Sequence, residues 1–260
     1  MRYDSAKART FLNEIDLKGT PRNILKMSAA DEAGPVFDQA KTQAQVSGSA
    51  VFSFAQGVTP EVREAISDSA LLAQLVANKK FPADQLPLEW FRAYADVLQN
   101  VGWTVQENAW TDYSAQGTAV EVHQKIVEVL TVALGPAPAA LLIITATVNA
   151  LSAMKSDSPW ITLFEREAKK AKIARFQIGL VDKDPNGDVF VSLFAFLITA
   201  QDNITQLLFF KFRSANASFQ ANTMKVSIDR AALTDIGPGI RSKIRVYQAD
   251  YLSNILDLKL

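Results

Sequence analysis

"VFVSLFAFLITA", Val189 to Ala200, is an uninterrupted β-favouring run in which only Ser192 and Thr199 carry a polar side-chain atom. Branched and aromatic residues in this density read as a strand. Successive strand side chains point to opposite faces, so this strand is apolar on both of them. Such a strand has to be covered on both faces, which calls for three layers rather than two. Its neighbours read as strands as well. Upstream, Phe176, Ile178 and Leu180 alternate with Arg175, Gln177 and Gly179, and "DPNGD" between the two runs is a hairpin turn, since Asn-Gly readily takes positive φ. Downstream, a turn at Asp202-Asn203 leads to Leu208, Phe210 and Phe212, alternating with Leu207, Phe209 and Lys211. A third turn, "SANAS", leads to Met224, Val226 and Ile228, alternating with Thr223, Lys225 and Ser227. The spacing predicts a four-stranded antiparallel meander. A last strand is expected at "SKIRVYQADYL", after a loop at "IGPGI".

The covers have to be helical. "TVALGPAPAALLIITATVNALSAM", Thr131 to Met154, contains no charged side chain and has about the length of a bilayer-spanning helix, for which roughly 20 apolar residues suffice. Gly135-Pro136-Ala137-Pro138 interrupts it, because prolines remove donors and restrict the residue before them. The stretch is therefore the end of one helix, with Val122, Ile126, Val129, Leu130 and Ala133 at helical spacing, and a second helix from Ala139 to Met154. Neither half is long enough to span a bilayer. The second is apolar nearly all round and is expected to be buried on most sides. Glu121 and Lys125 are expected to pair on the solvent side of the first. A second hairpin comes earlier. Thr59 caps and Pro60 opens a helix ending before Pro82, and "PLEWFRAYADVLQNVG" forms its partner with Trp90, Phe91, Tyr94, Val97 and Leu98 inward. Strands are expected at Ala44–Gln56 and Trp103–Tyr113, and a short amphipathic helix at "SPWITLFEREAKKA". The expected fold is a single-domain α–β–α sandwich: an antiparallel sheet flanked by two helical hairpins over residues 43–260, preceded by a polar N-terminal arm, residues 1–42, as a possible removable segment.

Little chemistry is offered. Lys plus Arg and Asp plus Glu both number 27, so no global field draws the chain to nucleic acid. With no cysteine there is no thiolate metal site or Cys nucleophile, and a histidine-based site would rest on His123 alone, which reads as a surface residue. Asp182, Asp184 and Asp188 surround a turn but lack the calcium-loop pattern. Glu165 and Glu167, two apart on a helix, point in different directions, and no phosphate-loop, dinucleotide, nucleophile-elbow or zinc-protease motif occurs. The expectation is a protein that is not an enzyme and has no metal and no cofactor. "MRYDSAKARTFLNEIDLKG" has no apolar core, so no classical signal peptide is expected. What stands out is physical: the 15 phenylalanines concentrate between Phe164 and Phe219. Strands of about ten residues match the 9–11 of a tilted transmembrane strand, and lipid demands fully paired sheets. The same composition also suits an ordinary sandwich whose phenylalanines fill a core.

Three pieces carry a family resemblance: "KIVEVLTVALG" (Lys125 to Gly135), Trp160 after the following helix, and "QLLFFKF" (Gln206 to Phe212). In order and spacing, residues from about Val51 to Asp229 resemble the Cyt-type δ-endotoxins, the insecticidal cytolysins, and more loosely their fungal volvatoxin-like relatives. The resemblance implies a soluble protein, released without a classical signal and clipped near its ends, that acts on the phospholipid membrane of a target cell and self-associates into dimers or oligomers. By that resemblance the inserting candidates are Phe176, Ile178, Leu180, Phe190, Leu193, Phe194, Phe196, Leu208, Phe209 and Phe210. The covering helices contribute Ile126, Val129, Leu130, Leu141, Ile143 and Ile144. A non-lytic lipid- or small-ligand-binding sandwich acting as a virulence factor is the alternative of another class.

Overall fold

Val189 to Ala200 lies inside a sheet that carries helices on both sides. A computed structural model describes residues 3–20, 36–82, 86–107, 109–113, 119–135, 138–155, 157–184, 187–208, 211–212, 216–228 and 230–260. In chain order, α1 (Ser5–Glu14) precedes β1 (Gln43–Ser47), β2 (Ala50–Phe54), α2 (Pro60–Lys80) and α3 (Pro87–Asn100). Next come β3 (Trp103–Glu107), β4 (Thr111–Asp112), β5 (Val120–Glu121), α4 (Val122–Leu134), α5 (Pro138–Ala153) and α6 (Pro159–Ala168). β6 (Lys169–Lys170), β7 (Ile173–Lys183), β8 (Val189–Ala200), β9 (Lys211–Phe212) and β10 (Ala217–Ile228) follow, and α7 (Arg230–Tyr251) and β11 (Leu252–Asp257) come last.

Among the described residues the main sheet has nine strands. Its path runs β11–β1–β2–β7–β8–β10–β3, with β4 also on β10 and β6 on β7. The long strands β7, β8 and β10 pair antiparallel through most of their length, Phe176 opposite Phe196 and Ala221 opposite Phe196 on its other side. The sheet is mixed rather than wholly antiparallel, because β2 and β7 run parallel. A parallel pair needs a long crossover, and α2 to α6 provide it.

Two apolar clusters lie on opposite faces. One joins α1, α2, α3 and α7 to Phe52, Phe54, Leu193 and Val226, and the other joins α4, α5 and α6 to Phe176, Phe194, Phe196 and Phe219. The expected three-layer α–β–α sandwich is therefore the architecture, with each hairpin supplemented by further helix.

Several elements differ from expectation. Ala44–Gln56 is a hairpin and not one strand. Gly48 turns it with φ +57, and a Cβ there would meet Gln74 Oε1 at 2.3 Å. The segment expected as a loop and a strand after Asp229 is α7. Leu233, Ile236, Ile240, Ile244, Tyr247 and Tyr251 are buried at helical spacing. Burying six such side chains is worth on the order of 10 kcal/mol against about 3 kcal/mol for interior Pro238, so the helix continues through it. The third meander strand, expected around Leu208, is a turn at Leu207–Leu208 followed by β9, which pairs with β5 outside the main sheet. α5 is buried on one face only. Ile144 and Val148 are fully covered while Leu142 is 63% exposed, so its low polarity does not reflect burial on most sides.

The N-terminal arm docks in its first part. Asp4 caps α1 by accepting from the Lys7 amide, Ala8 and Leu12 are buried, and Tyr247 Oη donates to the Leu17 carbonyl at 2.8 Å.

Candidate functional site

β7 has two unlike faces. Phe176, Ile178 and Leu180 point to α4, α5 and α6, whereas Arg175, Gln177 and Gly179 occupy the alternate positions towards α2 and α3. On β8, Phe194, Phe196 and Ile198 point to the α4–α5 side, and Val191, Leu193 and Leu197 to the other. The α4–α5 side thus collects the rings. Phe164 of α6 meets Phe176 edge-on with centroids 5.6 Å apart, Phe176 stacks on Phe196 at 5.0 Å, and Phe196 reaches Phe219 at 5.7 Å. Offset and edge-on arrangements at these spacings are the favoured ones for aromatic pairs.

Over this row lie Val122, Ile126, Val129 and Leu130 of α4 and Ile143, Ile144, Val148 and Leu151 of α5, all buried in the same cluster. The polar pin between this cover and the sheet is Ser53 Oγ to Thr147 Oγ1, 2.7 Å apart. Thr147 gives its proton to the Ile143 carbonyl, so Ser53 donates in that pair. At the start of α4 the His123 amide donates to the Leu208 carbonyl at 3.0 Å, next to the β5–β9 pair. His123 is not a surface residue: its ring is largely covered, with Nδ1 3.1 Å from Leu208 O and 3.4 Å from Glu121 Oε2. Lys125 pairs with Glu128, both oxygens at 2.8 Å, and not with Glu121, which precedes the helix. α6 is held by charge. Glu165 accepts from the Leu207 amide and pairs with Lys169, and Arg166 pairs with Glu167 and donates to the Asp250 carbonyl. Burial pushes the Glu167 carboxyl up, against the pull of Arg166.

Most of the candidate inserting and covering residues meet in this one cluster: Phe176, Ile178, Leu180, Phe194, Phe196 and Leu208 under Ile126, Val129, Leu130, Ile143 and Ile144, with Leu141 half-buried at its margin. Leu193 does not belong there, because its odd position on β8 turns it to the α2–α3 cluster. Phe190 sits at the open end of β8, 38% exposed. Phe209 and Phe210 lie outside the described residues. Phe164 and Phe219 complete the ring row and were not among the candidates. The period-2 pattern of Ala217 to Ile228, extended back to its start, places Phe219 on the ring face.

The opposite face is polar where it meets α2. Arg63 is fully buried, its charge held by carbonyl and amide oxygens and by the rings of Phe37 and Phe54, and burial pulls its pKa down to about 10. Gln74 Nε2 donates to the Ser47 carbonyl at 2.7 Å, while its Oε1 accepts from the Ser49 amide. Asn78 Oδ1 receives both Trp90 Nε1 at 2.8 Å and Arg175 Nη2 at 2.9 Å, and the Arg175 guanidinium lies 4.4 Å from the Trp90 ring centroid. Asp68, its carboxyl raised by burial, joins α2 to Arg241 and Gln248 of α7.

Asp182 and Asp184 accept backbone amides of their own turn, from Lys183 and Asp188. Among the described residues no cluster of potential metal ligands occurs, and no helix is long and apolar enough to cross a membrane. A recess of about 580 Å³ opens on the α1–α3 side, lined by polar residues such as Asp4, Lys7, Gln99 and Asn100 and by apolar ones such as Ala8, Trp103 and Val105.

No family model matches this sequence, and no curated protein matches it. Among solved structures it is similar to a delta-endotoxin, with a TM-score of 0.41 and 13% identity over 80% of this chain and 90% of that one. It is similar to the activated Cyt2Ba monomer from Bacillus thuringiensis subsp. israelensis, with a TM-score of 0.35 and 18% identity over 68% of this chain and 97% of that one. A third is the Evf virulence factor, with a TM-score of 0.30 and 12% identity over 94% of this chain and 90% of that one.

Proposed function

We propose that this chain is a membrane-disrupting cytolytic toxin, whose ringed sheet face exchanges its helical cover for lipid acyl chains. The observation that carries this reading is the Phe176–Phe196–Phe219 row of the sheet, with Phe164 of α6 at its end, beneath an α4–α5 cover attached almost wholly by apolar contact. Apolar burial is non-directional, so acyl chains satisfy that face as well as Ile126 or Ile144 do. The backbone of β7, β8 and β10 is paired within the sheet, so uncovering the face strands few donors or acceptors in lipid. These strands are 11, 12 and 12 residues long, enough for a tilted crossing of the hydrocarbon, which takes about 9–11.

The reading agrees with what the sequence resemblance implies, and it assigns no catalysis to the chain. In it the protein is released in soluble form, acts at a target cell membrane, loses part of the 1–42 arm, and self-associates so that exposed sheet edges pair. Dye release from phosphatidylcholine vesicles tests it, with the intact chain and after limited proteolysis. Leakage at micromolar protein is expected. Vesicles that stay sealed under both conditions would refute it, and lipid retained by the purified protein without leakage would replace it with a lipid carrier.

A further inference from the structure

The two covers of the sheet are attached by different chemistry. On the α2–α3 side the apolar cluster is reinforced by a set of buried hydrogen bonds with fixed geometry. Arg63 Nε reaches the Val58 carbonyl at 2.8 Å, Arg63 Nη1 reaches Gln43 Oε1 of β1 at 2.7 Å, and Gln74 bonds the β1–β2 turn from both ends of its amide. Asn78 ties Arg175 of β7 to α2, and Asp68 ties α2 to α7. Acyl chains offer neither donors nor acceptors, so lipid cannot replace any of these bonds.

On the α4–α5 side, lipid can replace nearly everything. Apart from the Ser53–Thr147 hydroxyl pair, the described packing of this hairpin on the main sheet is apolar, on aliphatic residues such as Ile178 and Leu180 as well as on the rings. The hairpin is also unusual on its outside. No charged side chain occurs from Thr131 to Met154, and beside the α4–α5 turn Val132 is 67% and Leu142 is 63% exposed. A charge-free apolar end gains nothing from anionic headgroups, so a zwitterionic bilayer suffices for it.

On the membrane-disrupting reading above, we infer that α4–α5 alone is the exchangeable cover. Its uncharged end meets a zwitterionic bilayer first, and the hairpin then swings off the ring face while α2 and α3 stay on the sheet. Its pivot is the β5–β9 pair that precedes α4.

Two disulfide locks separate the covers, and the chain has no cysteine to confuse them. Ser53→Cys with Thr147→Cys replaces hydroxyls 2.7 Å apart and ties β2 to α5, and Ser47→Cys with Ser67→Cys, scored only where loss of free thiol shows that the bridge has closed, ties β1 to α2, where Ser47 Oγ lies 3.3 Å from the Ser67 carbonyl. On phosphatidylcholine vesicles, the oxidised β2–α5 lock should leak at least about tenfold more slowly than its reduced form, and the oxidised β1–α2 lock should leak as the wild type does. Equal leakage by the oxidised and reduced β2–α5 lock overturns the inference, as does silencing by the β1–α2 lock. A wild type that never leaks is a different result and refutes the parent reading.

Spin labels on pairs of cysteines introduced at exposed positions avoid any dependence on the locks. On vesicle binding, the Asn149–Lys225 separation should grow by about 10 Å, a helix diameter, with Arg92–Lys225 unchanged. An unchanged Asn149–Lys225 distance on bound protein contradicts the inference.

Discussion

Gly179 sits in the middle of β7 with ordinary strand backbone, and its reason lies on the next strand. A Cβ there would meet the Phe52 ring at 2.6 Å, because Phe52 of β2 is registered directly against it and is itself 1% exposed. Gly179→Ala should therefore cost about 1–3 kcal/mol in chemical denaturation, the usual penalty for overpacking, and Phe52→Leu in that background should recover part of it. Additive losses in the double variant would mean that the ring is not the obstacle. Nothing near Gly179 in sequence announces this, since its partner is supplied by a parallel neighbour on the far side of five helices. Leu142 poses the opposite case. It is exposed, so Leu142→Asp should leave stability within about 0.5 kcal/mol. Vesicle partitioning should nonetheless fall about tenfold or more, since a carboxylate in a bilayer costs about 2.5–3.5 kcal/mol at its centre. A variant that binds vesicles undiminished would show that the α4–α5 end is not the contact.

Among the elements, β7, β10, α2, α3 and α4 are legible from their periods, 2 and 3.6, whereas β8 and α5 are legible as apolar runs of ten residues or more bounded by turn signals. α7 is not, because Gly237-Pro238-Gly239 reads as a loop and hides a stripe from Leu233 to Tyr251 that is visible once the break is ignored. Composition also overstates the burial of α5. Low polarity reports that a helix avoids charge, and it does not distinguish a helix in the core from one held half out of it. α1 lies on α7 through Asp235, whose carboxylate accepts from Tyr3 Oη at 2.7 Å and from Ser5 and Arg9. Those bonds, Arg9 first, hold its pKa well below the ordinary value, so their contribution is present above pH 3.8 and is lost as the pH falls below it. Asp235→Asn should flatten the acid side of the Tm–pH curve relative to wild type, with little change in slope near neutrality. Parallel acid limbs in the two proteins would show that Asp235 does not link α1 to pH.

At the scale of the molecule, one double-sided strand is enough to require three layers, and the structure has them. What the strand cannot reveal is that the two outer layers differ in kind. That difference is carried by the partners of β1, β2 and β7: Gln43, Ser47 and Arg175 meet α2–α3, whereas Ser53, Phe176 and Leu180 meet α4–α6. Only tertiary pairing assigns those residues to a side. The central claim is that the ring face passes from its helices to lipid. Ser192, half-buried on the same row as Phe194 and Phe196, is the position that reports it, because Ser192→Cys accepts a single fluorophore in a chain without other cysteines. With phosphatidylcholine vesicles carrying nitroxides on their acyl chains, the label should be quenched in step with dye release. A label that remains unquenched while the vesicles leak would contradict the account.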